Sequence, residues 1–273
     1  MTLVALVEVG RGPLSPDAPV LHADDEGVLR GRAVFETLRV YQGTPFRLGA
    51  HLDRRAASAG RLGLPAPPAE GFAAGAAEAI EAGDHPNAVL RLLWTAGREG
   101  TRAPTGLVLV STLPANLEEL RSRGLRLAVV RWAAGALAGA KSTSYAENMA
   151  AQAEAARRGA DDALLVAPDD TVLEGPTSNV WFREGRRLLT PSLELPLLAG
   201  VTRAAIRELS PSLGYEVEEG TFALDRLCRA DEVFLSSSVH EVMPATELDG
   251  EPLGRGDAAA ALQGALRAAA GVP

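Results

Sequence analysis

The chain has 273 residues, 47% of them apolar and 23% charged, with a formal net charge of −8. These proportions suit a globular protein of one or two domains, and the negative balance argues against a nucleic-acid or anionic-membrane partner. A single cysteine, Cys228, excludes an internal disulfide framework and fits a reducing, cytoplasmic compartment.

The first residues lack a basic region and Glu8 interrupts the apolar run, so no signal peptide is expected. A strand is predicted over 3–9, and strict alternation predicts a second, half-buried strand over 33–41. Gln42 and Gly43 make a turn into a short return strand. Leu48, Leu52, Ala56, Ala59 and Leu62 recur at helical spacing and predict a helix over 49–61. A Pro-rich break precedes a second helix over 69–82. Strands follow at 87–95 and 105–113, joined by a loop with Arg98 and Arg102. Composition shifts near 114–122, which divides the chain into an α/β domain at 1–116 and a larger one at 117–273. The second half reads as a strand over 125–131, a Gly/Ala loop, and a helix over 145–158 ended by Gly159. Strands are then predicted at 163–167, 171–174 and 179–182, a helix from 201 to before 214, strands at 215–219 and 232–236, and an Ala-rich terminal helix. The four histidines are scattered without metal-ligand spacing, so no metal site is expected.

The Gly/Ala loop holds the only lysine, Lys141, against 27 Lys and Arg together. Arginine has replaced lysine wherever a plain positive charge suffices. It cannot replace a primary amine that loses its proton and forms a Schiff base with an aldehyde. Lys141 is therefore a candidate carrier of pyridoxal 5′-phosphate; the alternative is a surface charge in an arginine-rich composition. A rival comes from another class. Gly135-x4-Ala140-Lys141-Ser142 differs from a nucleotide-binding P-loop at one position, where alanine stands for the glycine that turns N–H groups toward phosphate. An NTPase is the remote alternative.

Six motifs in order resemble the class IV aminotransferases, the pyridoxal-phosphate enzymes of fold type IV. They are Val34-Phe35-Glu36-Thr37-Leu38, His51-x-x-Arg54, Lys141-Ser-Thr-Ser-Tyr145, Glu174-Gly175-x-x-Ser178-Asn179, Gly200-Val201-Thr202-Arg203 and Asp231-Glu232-Val233-Phe234-Leu235. The family includes branched-chain and D-amino-acid aminotransferases and 4-amino-4-deoxychorismate lyase. The resemblance spans residues 22–250 and implies two α/β domains with the cofactor site at their junction, in a homodimer. It implies that Lys141 is catalytic and binds the cofactor, and that Glu174 keeps the ring nitrogen protonated. It places the phosphate on Arg54, on the helix start at Val201 and Thr202, and on Ser237 and Ser238. Tyr145 would sit near the cofactor's phenolic oxygen, or else pack at a helix start; His51 reads as structural.

Candidate substrate residues are Phe35, Arg91, Arg98 and Arg102. Arg91 matches the branched-chain enzymes' active-site arginine, and Arg98 and Arg102 are alternative carboxylate clamps or solvated loop charges. The family's Gly-Asp-Gly before the first motif is here Gly31-Arg32-Ala33. The resemblance implies amino-group transfer between an amino acid and a 2-oxo acid. The lyase, which makes 4-aminobenzoate and pyruvate, is the alternative, since both chemistries share the cofactor residues.

Overall fold

The structure, a computed structural model, describes every residue except Arg102 and Pro273. The backbone separates into two compact units. The first comprises Met1–Ala115 with Gly139–Tyr145, the second Asn116–Ala138 with Ala146–Gly271.

The first unit contains β1 (Leu3–Glu8), β2 (Gly12–Leu14), α1 (Glu26–Arg30), β3 (Ala33–Tyr41), β4 (Thr44–Pro45), α2 (Leu48–Arg61), α3 (Ala69–Gly83), β5 (Ala88–Thr95) and β6 (Gly106–Ser111). Its strands form one antiparallel sheet in the order β2-β1-β6-β5-β3-β4. Side chains alternate between its faces. Val34, Leu38 and Val40 of β3 join Leu90, Leu92 and Trp94 of β5 in a core with Ala59 of α2 and Phe72, Ala76 and Ala79 of α3. Gly75 lets α3 lie close to the strands, since a Cβ there would stand 3.2 Å from a Val108 methyl. Phe35 and Thr37 take the other face, with Arg91 directly across from Thr37.

Lys141 was expected in the C-terminal half, but its segment packs with the first unit. The reason is backbone pairing with the start of β3. Phe35 N–H donates to the Lys141 carbonyl at 3.0 Å and Thr143 N–H to the Ala33 carbonyl at 2.9 Å.

The second unit contains α4 (Leu117–Arg123), β7 (Leu125–Arg131), α5 (Ala146–Arg157), β8 (Asp162–Val166), β9 (Asn179–Glu184), β10 (Arg187–Pro191), α6 (Val201–Leu209), β11 (Glu216–Gly220), α7 (Leu224–Cys228), β12 (Glu232–Ser237), β13 (Glu241–Leu248), β14 (Glu251–Pro252) and α8 (Ala258–Ala269). The sheet runs β11-β10-β9-β12-β13-β7-β8, with β14 on β13. It is mixed, with parallel pairs at β10/β11, β13/β7 and β7/β8. Ala151 and Ala155 of α5 pack on Ala128, Ala163 and Leu165 of the sheet. The first N–H groups of α8, at Ala258 and Ala259, donate to the buried Glu232 carboxylate at 3.0 and 2.9 Å.

Three expectations change here. Residues 171–174 make only isolated bridges, because a tight turn at 167–170 folds them straight back onto β8. The helix expected up to 214 divides after Leu209 into a 3-10 turn containing Pro211, whose ring cannot continue the ladder. The strand β13 was not anticipated, because Pro244 interrupts its pattern. Pairing of β13 with β7 begins only at Ala245, so proline occupies a position without that neighbour.

Candidate active site

In the first unit, Ser58 of α2 and the start of β3 hold the lysine segment from two sides. Lys141 N–H donates to Ser58 Oγ at 3.0 Å, and Ser142 bridges to Val34. The Thr143 and Ser144 hydroxyls both donate to the Gly31 carbonyl at 3.2 Å. Gly31 has φ 64° and lies so close to Ser144 that a Cβ would collide with its hydroxyl. The Gly31-Arg32-Ala33 departure therefore keeps the glycine that this contact requires. Arg32 itself is ion-paired with Glu26.

The Lys141 side chain is only 8% exposed, which removes the surface-charge alternative. Its Nζ stands 4.6 Å from the centre of the Phe35 ring and 5.8 Å from that of Tyr145. The two rings meet edge to face at 5.3 Å. The P-loop alternative fails on geometry. That loop runs from its lysine into a helix. Here Lys141 and Ser142 pair with β3, and α5 begins only at Ala146.

Arg54 lies on α2 with Glu36 of β3. Arg54 Nε donates to Glu36 Oε1 at 2.9 Å and Nη2 to Oε2 at 2.5 Å. His51 Nδ1 lies 2.7 Å from the same Oε2. Glu36 is fully buried. Burial raises its pKa, but the hydrogen bonds from Arg54 and His51 outweigh burial and hold the carboxyl down at about 2. Burial lowers the His51 pKa against the pull of Glu36, with the Arg54 and Lys141 charges adding to the depression.

Arg91 is exposed on the sheet face that carries Phe35. Arg98 is bound to Asp24 through three hydrogen bonds of 2.9–3.1 Å. Arg102 lies outside the described residues.

The second unit carries the remaining candidates. Both Glu174 oxygens are held: Asn179 Nδ2 donates to Oε2 at 2.9 Å and Leu198 N–H reaches the carboxylate at 3.2–3.3 Å. Asn179 also donates to the Leu198 carbonyl at 3.0 Å. Next comes α6, entered at Gly200 with no side-chain cap on its first N–H groups. Val201 and Thr202 are buried in that first turn. A Cβ at Gly200 would collide with Asn179 Oδ1, so this glycine permits the packing of Asn179 against the helix start. Ser237 Oγ accepts from His240 N–H at 3.2 Å, and Ser238 follows at the end of β12. Ser236, buried beside them, accepts from Trp181 Nε1 at 3.0 Å.

Three contributors carried no sequence expectation: Glu36 beneath Arg54, Ser58 beneath Lys141, and Asn179 beside Glu174. Glu36 and Asn179 stood inside recognised motifs; a polar residue in a strand otherwise facing a helix was the available signal at Glu36. Ser58 carried none. Among the described residues no group of three or more His, Cys, Asp or Glu could hold a metal ion, and no helix is long and apolar enough to cross a membrane.

Comparison with known proteins bears on this arrangement. The profile of the amino-transferase class IV family matches residues 33–248. A bifunctional aminodeoxychorismate lyase / D-amino acid transaminase of Mycobacterium tuberculosis is 35% identical, over 89% of this chain and 90% of that protein. Among solved structures, a hypothetical aminotransferase from Mycobacterium tuberculosis in a PLP-bound form superposes with a TM-score of 0.91 at 34% identity, over 97% of this chain and 98% of that one. A form of it bound to alpha-ketoglutarate and PMP superposes with a TM-score of 0.93 at 34% identity, with the same coverage.

Proposed function

The chain belongs to the class IV aminotransferase family, and on that premise we propose that it transfers an amino group between an amino acid and a 2-oxo acid, with pyridoxal 5′-phosphate carried on Lys141. The observation that carries the reading is the environment of that lysine. The one primary amine among the chain's basic side chains is buried beside two aromatic rings, in surroundings that lower the cost of giving up its proton and shield an imine from water.

The residues present fit the cofactor. A buried amine, a carboxylate fixed by two donors and an uncapped helix start are the groups that an aldehyde, a pyridine nitrogen and a phosphate require. When bound, pyridoxal phosphate supplies an aldehyde that condenses with amines and a protonated ring that accepts the electron pair released at the substrate's α-carbon. Lys141 Nζ anchors it and moves the proton at that carbon. Glu174 holds the proton at the ring nitrogen, and Asn179 and Leu198 N–H keep its carboxylate in place. Arg54, the first N–H groups of α6 at Val201 and Thr202, and the hydroxyls of Ser237 and Ser238 bind the phosphate. Phe35 and Tyr145 wall the amine from water. Arg91 receives the substrate carboxylate. Arg98 is left out because it forms a solvent-exposed loop ion pair with Asp24.

A second activity, cleavage of 4-amino-4-deoxychorismate to 4-aminobenzoate and pyruvate, is favoured by the 35% identity to a bifunctional relative. Both chemistries draw on the same residues. The proposal further includes a homodimer, as the family resemblance implies, and a cytoplasmic location, supported by the single unpaired Cys228.

The deciding assay offers the purified protein 2-oxoglutarate with L- and D-amino acids, and separately aminodeoxychorismate. Amino transfer in the first set is the expected result. Products only from the last substrate would replace the aminotransferase reading with the lyase. Borohydride reduction followed by peptide mass analysis tests the anchor. The expected cofactor adduct lies on the peptide that contains Lys141, and an unmodified peptide from cofactor-saturated protein would refute it.

A further inference from the structure

We propose that Glu36 is a positioning residue for the phosphate end of this site and acts through Arg54. The inference rests on the reading that Arg54 binds phosphate, and goes beyond it in naming what aims the arginine.

Glu36 occupies the side of β3 that faces the helices, among Val34, Leu38 and Val40. An apolar residue would pack there without desolvating a charge, and burying a carboxylate is costly unless its partners are well placed. The partners are well placed. Two parallel N–H···O bonds of 2.9 and 2.5 Å join one edge of the Arg54 guanidinium to both carboxylate oxygens. Such a fork fixes the plane of the guanidinium, not only its distance. It turns the opposite edge of the plane in one direction, which a lone flexible arginine would not hold.

His51 supplies the third contact at 2.7 Å. The carboxylate is thus held by the guanidinium along both oxygens and braced at Oε2 by the buried imidazole.

The neighbouring arginine shows what the carboxylate adds. Arg55 is 1% exposed, its guanidinium carbon lies 3.4 Å from the centre of the Phe72 ring, and its Nε and Nη1 have no hydrogen-bond partner. It packs as a flat body in the core. Of two successive arginines on one helix, the carboxylate has selected Arg54 and set its orientation.

The test separates orientation from stability. Full-length apo-protein is titrated with pyridoxal 5′-phosphate and with pyridoxal, following absorbance of the bound aldehyde. The dissociation constant for pyridoxal divided by that for pyridoxal 5′-phosphate measures selectivity for the phosphate. Glu36→Gln is expected to lower that ratio about tenfold. Arg54→Met should lower it at least as far. Glu36→Gln added to Arg54→Met should change it by less than about twofold, because the two residues act in series. A purely structural Glu36 would lower the melting temperature and leave the ratio intact, which would overturn the proposal. An equal effect of Glu36→Gln in both backgrounds would also overturn it. If Arg54→Met leaves the ratio unchanged, the reading of Arg54 as the phosphate ligand fails instead. Should Glu36→Gln not fold, Glu36→Asp takes its place in the same cycle, since withdrawing the carboxylate by one methylene breaks the fork and keeps the charge.

Discussion

Glu174 and Asp162 are carboxylates of one unit, and each accepts from a side-chain amide and a backbone N–H. Glu174 is met by an amide and a backbone N–H, which hold it for a task. Replacing it by Gln keeps the shape and removes the charge. Cofactor binding should persist while turnover falls by about a hundredfold or more, measured as kcat against cofactor affinity. Lys141→Ala should abolish turnover, even with cofactor retained through its phosphate. Asp162 is buried at the start of β8, and burial pushes its pKa up to about 6. Its hydrogen bonds from Ala163 N–H and Gln152 only partly offset that cost. The folded state therefore binds the proton more tightly than the unfolded chain. This favours folding below about pH 4, and the advantage is lost as pH rises through about 6. Asp162→Asn should raise stability above pH 7 by up to about 3 kcal/mol and leave it nearly unchanged near pH 4, read from denaturant melts at both values.

Two helix starts of the second unit are finished in opposite ways. The first turn of α8 closes on the Glu232 carboxylate; that of α6 is left without a side-chain cap. Glu232→Gln should cost about 1–2 kcal/mol of stability, because a neutral amide answers the helix dipole less well. Gly200→Ala should act on function. The added methyl displaces Asn179, loosens Glu174 and weakens cofactor affinity by roughly tenfold, seen by titration, with a smaller change in melting temperature. These starts also mark how far sequence reading reached. The α6 boundary at Val201 was legible because a Gly-Val-Thr run precedes an amphipathic stretch. The strand β13 was hidden by Pro244, whose tolerance depends on where its neighbour strand begins. Lys141, Glu174 and Arg54 were identifiable as candidates, from the scarcity of lysine and the order of motifs. Their supports at Ser58, Asn179 and Glu36 were not, since a supporting partner is defined by distance across the fold and leaves no spacing in the chain.

The proposed functional set is distributed over both compact units. Lys141, Tyr145, Phe35, Arg54 and Arg91 belong to the first, and Glu174, Val201, Thr202, Ser237 and Ser238 to the second. Division of the chain by sequence order missed that the lysine segment returns to the first unit, because the seven-residue excursion Gly139–Tyr145 has no periodic pattern to announce its strand partner. The whole protein should run as a homodimer by light scattering, and a monomer under assay conditions would remove that part of the proposal. Apart from the α-amino group, the chain offers acylating reagents a single amine, and that amine is screened from bulk water. Slow acylation at position 141, resolved by mass, would therefore report site opening and ligand protection against an almost silent background, with no label engineered into the molecule.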